Sequence, residues 1–202
     1  MFYLCKQNCR QQIAVMNYNT GKYIEQLIAE NGVVQSEVAR AVSVSRQLLS
    51  LIICGKRELS LQLAMKLESY FDLPEGELVV MQAKQSLEQR KVALRKHLYE
   101  RLVAKNAFWS YKAQAVERIP DKLFIEKCLM TLDEADIELL FELFPRKRIR
   151  GVWRERMAIQ GDYMLALNVA IATKYFGIKE PEKYLARAEQ LQTQKLLKYI
   201  KG

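Results

Sequence analysis

Short apolar segments at helical spacing follow one another between residues 20 and 83, and turn residues separate them. Ile24 and Leu27 lie on one face of the first segment, which Gly32 ends. A chain of 202 residues with only 8 Gly and 4 Pro has too few turn residues for an all-β fold. The sequence therefore predicts an all-α fold that begins with four or five short helices.

The segments after Gly32 carry recognisable helix starts and stops. Ser45 and Ser60 each precede an apolar segment and can cap a helix, and Gly55 ends the first of these two helices. The residues expected to point inward are Val38, Ala39, Val42, Leu49, Ile52, Ile53, Leu61, Ala64, Leu67 and Phe71.

Two adjacent stretches then narrow the interpretation. Residues 34–50, VQSEVARAVSVSRQLLS, resemble the Cro/cI-type helix-turn-helix family. The run that follows, GKRELSLQLA over residues 55–64, resembles the HigA-like antitoxins of that family. The resemblance covers about residues 20–85 and implies a five-helix DNA-binding domain whose recognition helix begins near Ser45.

The recognition helix suggests which side chains contact DNA. Ser45, Arg46 and Gln47 stand at its start, where arginine can read guanine and glutamine can read adenine in the major groove. Residues 43–57 contain three basic residues and no acidic residue, as a surface facing phosphates requires. The candidate DNA-binding residues are Gln35, Ser45, Arg46, Gln47, Ser50, Lys56 and Arg57.

Three positions depart from the family pattern. Ser43 stands in the turn where the family often has glycine, which matters only if the backbone there has a positive φ. Leu48 and Leu51 stand where polar residues are more common. If both leucines are exposed, they read thymine methyl groups, contact a partner, or indicate weakened DNA binding.

The distribution of charge and of helix-breaking residues divides the chain into segments. The net charge is +9, and residues 84–105 and 146–157 are each strongly basic. Residues 75–105 contain no Pro and predict one long helix or two collinear ones. Further helices are expected near 121–132, 133–144, 146–157, 162–176 and 182–200. The expected organisation is an N-terminal tail without fixed structure over 1–19, a DNA-binding domain over 20–83, a basic connecting helix over 84–105 and a small helical partner-binding domain over 106–202.

The C-terminal part carries a weaker resemblance. The apolar residues Phe108, Trp109, Ile125, Leu129, Leu139, Leu140, Ile149 and Leu165 resemble a helical domain of antitoxins encoded beside AbiEii-type nucleotidyltransferase toxins. The resemblance implies a toxin-binding domain, in which an exposed tryptophan beside arginines would suit an interface. The candidate partner-binding residues are Trp109, Arg146, Arg148, Arg150 and Trp153, although both tryptophans also suit a core.

Other classes of function are disfavoured. The one histidine, His97, and the absence of a glycine-rich phosphate loop predict no enzyme and no cofactor. Cys5 and Cys9 lack the second ligand pair that a structural metal needs. No apolar run reaches the length of a membrane helix, and Lys6 and Arg10 interrupt the N-terminal apolar residues, so we expect a cytoplasmic protein.

Together these features predict a sequence-specific transcription regulator of antitoxin type. It would bind its own inverted-repeat operator in double-stranded DNA as a homodimer, and a nucleotidyltransferase-like toxin would be its partner. The alternative is a helix-turn-helix regulator without a toxin, whose C-terminal domain senses a ligand or oligomerises. The remaining alternatives are an enzyme or RNA-processing factor with an accessory helix-turn-helix, and an interaction protein that no longer binds DNA.

Overall fold

The structure is a computed structural model that describes residues 19–108 and 119–201, with side chains as far as Lys198. Every regular element within these ranges is a helix, which confirms the predicted all-α fold. The chain divides into two compact units between Arg90 and Lys91, inside the segment expected to connect two domains. The expectation for the tail 1–19 falls, except for Asn19, outside the described residues.

The first unit contains four short helices and the beginning of a long one. Helices α1 (Thr20–Glu30), α2 (Gln35–Ala41), α3 (Arg46–Ile53) and α4 (Leu61–Tyr70) are followed by α5 (Glu77–Ala104), which continues into the second unit. Of the two predictions for residues 75–105, the structure has one long helix rather than two collinear ones, with nearly the expected bounds.

Side-chain caps explain where two of these helices begin. The hydroxyl of Ser45 accepts a hydrogen bond from the backbone N–H of Leu48 at 3.1 Å. The hydroxyl of Ser60 accepts one from the N–H of Leu63 at 3.4 Å. Each bond satisfies a backbone donor that the first turn of a helix leaves free. Both predicted caps are confirmed.

The core of the first unit lies among its five helices. It contains Ile24, Val38, Ala39, Val42, Leu49, Ile52, Leu59, Leu63, Ala64, Leu67 and Leu78. The expectation that Leu61 points inward is wrong, because its side chain is 61% exposed. Leu61 is the first residue of α4 and falls outside the inward stripe that Leu63, Ala64 and Leu67 form.

The second unit is built from the rest of α5 and five further helices. These are α6 (Asp121–Thr131), α7 (Glu134–Leu143), α8 (Arg146–Arg156), α9 (Leu165–Phe176) and α10 (Pro181–Lys201), with a 3₁₀ turn at Gly161–Met164. Their bounds agree with the predicted helices to within three residues. From α5, Leu98 and Leu102 enter this unit's core.

Candidate nucleic-acid interface

Helices α2 and α3 approach each other at their N-terminal ends. The side-chain amide of Gln35, the first residue of α2, donates to the backbone carbonyl of Arg46, the first residue of α3, at 3.5 Å. Gln35 is half-buried and Arg46 is exposed. The structure therefore places one predicted phosphate contact beside the start of the helix that carries the predicted base contacts.

The turn between these helices depends on Ser43. Its φ of 60° lies in the left-handed region. The N–H of Ser43 donates to the carbonyl of Arg40 at 3.1 Å, and the N–H of Val44 donates to the carbonyl of Ala39 at 2.9 Å. This pair of bonds is the Schellman arrangement, which favours glycine at the left-handed position. A serine there costs about 1 kcal/mol, so the departure at residue 43 has a structural consequence.

The start of α3 presents polar side chains on one surface. Arg46 and Gln47 are exposed in its first turn, and half-buried Ser50 lies one turn after Arg46 on the same face. In the described part of the chain, neither the Arg46 nor the Gln47 side chain forms a hydrogen bond or an ion pair. Both are therefore available to a ligand, whereas the Ser45 oxygen also caps the helix.

The two leucines on this helix differ in exposure. Leu48 is half-buried and packs against the core of the first unit. Leu51 is 40% exposed and lies one turn after Gln47. The case in which both leucines are exposed does not apply, and only Leu51 extends the surface formed by Arg46 and Gln47.

A turn follows the C-terminal end of α3, and two basic residues come directly after this turn. Gly55 has a φ of 69°. The carbonyl of Leu51 accepts the N–H groups of Lys56 at 2.8 Å and of Arg57 at 3.2 Å. Because these N–H groups are already bonded, Lys56 and Arg57 can contact phosphate only through their exposed side chains.

The backbone of α1 supports the same end of α3. Gly21 is buried, and a Cβ built on it would lie 2.3 Å from the carbonyl oxygen of Ile53 and 2.6 Å from that of Ile52. Only glycine allows this approach, because the neighbours are backbone atoms that no rotamer change can move. The sequence interpretation gave Gly21 no role.

Lys66 is a second residue near the interface that the sequence interpretation missed. This α4 residue is exposed, and its ammonium group donates to the carbonyl of Val42, at the end of α2, at 3.2 Å. It adds a cation to the part of the unit that contains the end of α2 and the turn at Ser43. The sequence offered no local signal for it, because it lies 24 residues from its partner.

The second unit changes the expectation for partner binding. Trp153 is fully buried, and its indole N–H donates to the side-chain oxygen of Asn168 at 2.8 Å. Asn168 in turn donates to the carbonyl of Met157 at 2.9 Å. The expectation of an exposed Trp153 is wrong, because this ring belongs to the core. Trp109 lies outside the described residues.

The three predicted partner-binding arginines of α8 are exposed but have contacts within the second unit. Arg146 donates to the carbonyl of Tyr175 at 2.6 Å. Arg148 pairs with Asp121 at 2.5 Å. The Arg150 guanidinium lies 5.9 Å from the centre of the Phe176 ring. These contacts hold the arginines close to the protein surface, and their role toward a partner stays a prediction.

Potential metal ligands and the cysteines can be located within the described residues only in part. There, no three His, Cys, Asp or Glu side chains are grouped so as to hold a metal ion. Cys5 and Cys9 fall in the part of the chain left undescribed. Burial raises the pKa of the Cys128 thiol, which disfavours the thiolate that a nucleophile needs. Among the helices described, none has the length and apolar content that crossing a bilayer requires.

Comparison with known proteins supports the geometry of the first unit. Residues 24–78 match the model of a family described as Helix-turn-helix, of the Cro/cI type. This part of the chain is a helix-turn-helix domain. In it, α2 and α3 are the paired helices, and α3 occupies the place of the recognition helix. No significant match is found among curated proteins or among solved structures.

Proposed function

We propose that this protein is a sequence-specific, DNA-binding transcription regulator. The observation that carries the proposal is the surface of α3 in a helix-turn-helix domain. Arg46 and Gln47 extend from it without internal partners, and Lys56 and Arg57 follow it with no carboxylate in residues 43–57. Helix-turn-helix domains of this family are DNA-binding regulatory domains.

Each side chain on this surface has a role that its chemistry supports. In the major groove, the guanidinium of Arg46 can donate to O6 and N7 of guanine, and the amide of Gln47 can pair with N6 and N7 of adenine. Ser50 and the exposed part of Leu51 would meet the next base pair, where Leu51 suits a thymine methyl group. These contacts would give sequence preference.

A second set of side chains would hold the domain on the DNA backbone. Lys56 and Arg57 carry exposed charges just after α3, and Gln35 lies at the N-terminus of α2. The Ser45 hydroxyl can donate its proton to a phosphate while its oxygen caps α3. These contacts would give affinity and salt dependence without reading sequence.

The finer proposal is an antitoxin-type autorepressor. It would bind an inverted repeat as a homodimer, with half-sites about 34 Å apart on one face of the duplex. The likeness of residues 55–64 to HigA-like antitoxins supports this role. In this proposal the second unit binds a partner protein, and a nucleotidyltransferase-like toxin encoded in the adjacent reading frame would be that partner.

Fluorescence anisotropy with the full-length protein tests the DNA-binding function. Labelled DNA from upstream of its own gene is compared with scrambled DNA of equal composition, over a series of salt concentrations. Nanomolar, sequence-dependent affinity that falls steeply with salt is expected. Equal, weak affinity for both DNAs would show that the helix-turn-helix domain does not act as a specific regulator.

A separate experiment tests the antitoxin role. The neighbouring reading frame is expressed alone and together with this protein, and growth is measured. If the neighbour alone arrests growth and co-expression of this protein relieves the arrest, the antitoxin proposal is supported. A neighbour that does not arrest growth contradicts the antitoxin role and leaves a regulator without a toxin.

A further inference from the structure

A groove of about 790 Å³ lies between helices α8 and α10 in the second unit. Its walls include half-buried Ile159 and Ala188 and the half-exposed side chain of Leu191. This aliphatic surface is open to a ligand, and the function proposed for the first unit does not use it. A volume in this range is typical of ligand-binding clefts.

Three cations stand around the groove. Arg154 comes from α8, and Arg187 and Lys195 come from α10, with all three side chains exposed. In the described ranges none of the three forms an ion pair. Glu155, a carboxylate that also lines the groove, receives both its hydrogen bonds from Lys122, at 2.8 and 2.9 Å. The groove therefore presents uncompensated positive charge.

Gly151 adds an independent observation. It lies inside α8, where glycine weakens a helix relative to alanine, yet a Cβ built on it would meet nothing within 4 Å. The packing of the unit therefore does not require glycine at this position. Gly151 lines the groove, and the missing side chain lets a bound segment approach the α8 backbone closely.

We infer that the groove between α8 and α10 binds an amphipathic helix of a partner protein, with carboxylates on either side of its apolar stripe. Helices bind grooves in this way by placing apolar side chains on the floor and charged ones at the rim. The inference deepens the partner-binding role proposed for the second unit by naming the surface and the chemistry of the partner.

The spacing on α10 sets the pattern of the partner helix. Arg187, Leu191 and Lys195 follow one another at one-turn intervals, so the two cations lie about 12 Å apart along the helix with an apolar residue between them. A partner helix that runs along the groove would match them with carboxylates about two turns apart and a leucine or isoleucine between. Its charge and its apolar stripe would then both be satisfied.

A protein helix fits this surface better than nucleic acid does. Single strands bind through exposed aromatic faces that stack on bases. Among the described lining residues, the aromatic one is Tyr184, which is half-buried and stacks on Trp153 at a centroid distance of 5.9 Å with an interplanar angle of 13°. Ile159, Ala188 and Leu191 form the aliphatic part of the groove, and a phosphate backbone would leave that part uncovered.

Binding of a model peptide to the full-length protein tests the inference. The probe is a fluorescein-labelled, helix-stapled peptide of about 16 residues, with glutamates two turns apart flanking leucines. We expect micromolar affinity by anisotropy. Gly151→Leu should fill the groove, and Arg187→Glu should reverse one of its charges, so each should weaken binding about tenfold or more. Lys198→Glu, the same charge reversal on α10 away from the groove lining, should change affinity less than about twofold.

Three results would overturn the inference. One is no binding of the peptide at about 100 μM, and another is equal affinity for the protein, Gly151→Leu and Arg187→Glu. The third is a single-stranded oligonucleotide that binds with the same sensitivity to these variants, which would assign the groove to nucleic acid. Circular dichroism checks each fold, and if Gly151→Leu unfolds the protein, Arg187→Glu and Lys195→Glu decide the outcome.

The peptide assay contains no DNA, so it separates this inference from the regulator function. A protein that binds operator DNA but not the peptide contradicts only the groove assignment. A protein that binds the peptide but not DNA contradicts only the function proposed for α3.

Discussion

The carboxylate of Glu68 accepts a hydrogen bond from the backbone N–H of Leu78 at 2.7 Å. The same side chain accepts the N–H of Gly76 at 2.9 Å and is only 4% exposed. It thereby satisfies free donors at the start of α5 and fastens that helix to α4. Glu68 is therefore an acidic residue within an apolar core, and its role in the helix-turn-helix domain is structural.

Replacement of Glu68 by alanine should therefore destabilise the domain by about 2–3 kcal/mol, since it leaves buried N–H groups without acceptors. Urea unfolding followed by circular dichroism measures the change. Glu75→Ala removes an exposed carboxylate seven residues away and should cost less than about 0.5 kcal/mol. Equal losses in the two variants would show that the bonds of Glu68 contribute nothing specific.

Two glycines in helices should respond oppositely to alanine. Gly21→Ala would press its Cβ against the carbonyls of Ile52 and Ile53, and we expect a loss of about 2–3 kcal/mol. Gly151→Ala enters open space inside α8 and should gain about 0.5–1 kcal/mol. Thermal unfolding of both variants beside the parent protein tests the pair. A destabilised Gly151→Ala or an unaffected Gly21→Ala would contradict the packing described for these positions.

The left-handed conformation of Ser43 leads to a stabilising substitution. Ser43→Gly should raise the free energy of unfolding by about 1 kcal/mol, because glycine takes a φ of 60° without steric conflict. Urea titration provides the measurement, with Ser36→Gly in helix α2 as a control that should lose stability. If Ser43→Gly also loses stability, the strain assigned to this turn does not exist.

The surface of α3 predicts how DNA affinity divides between reading and holding. Arg46→Ala and Gln47→Ala should each weaken operator binding by about 1–3 kcal/mol while scrambled DNA is bound nearly as before. Lys56→Ala should weaken binding to both DNAs. It should also lower the slope of log affinity against log salt concentration by about one. Lys22→Ala, an equal loss of charge on α1, serves as the control. Unchanged operator affinity in both Arg46→Ala and Gln47→Ala would show that these two side chains of α3 do not contact the bases.

The N-terminus of α7 should make the second unit sensitive to acid. The carboxylate of Asp133 accepts the N–H of Asp136 at 3.3 Å, and this bond, with the charges of Lys105 and Arg101, holds the pKa of Asp133 below its ordinary value. A carboxyl group whose pKa is lower in the folded state than in the unfolded state stabilises the fold. Its contribution is complete when the pH is above the pKa of the unfolded state. That stabilisation disappears as the pH falls through the lowered folded value.

Asp133→Asn keeps a capping oxygen but does not titrate, so its stability should fall less than that of the parent between about pH 5 and pH 2. Urea midpoints over this pH range provide the comparison. Asp162→Asn, at an exposed carboxylate of the same unit, is the matched control variant. Parallel curves for the parent and Asp133→Asn would exclude a stabilising role for the Asp133 charge.

Local sequence signals identified much of the fold because their causes are local. Ser45 and Ser60 bond to N–H groups three residues ahead, and the left-handed turn at Gly55 needs only a residue without a Cβ. The resemblance of residues 34–50 to the Cro/cI-type family implied the positions of Arg46 and Gln47 at the start of α3, and the Ser45 cap agrees with it.

Contacts between distant residues were beyond the sequence interpretation. Trp153 was a candidate for exposure because nothing nearby shows that its N–H bonds to Asn168, fifteen residues later. Lys66 and Glu68 look like surface charges of α4, yet one donates to the end of α2 and the other caps α5. Such partners are set by packing, which helical periodicity does not specify.

The approach of Gly21 to the carbonyls of Ile52 and Ile53 bears on how binding preference can change over evolution. One end of α3 abuts the backbone of another helix, and the other end is held by its own cap at Ser45. The side chains of Arg46 and Gln47 contribute to neither support. Selection can therefore exchange these residues for a new operator sequence while the helix itself stays in place.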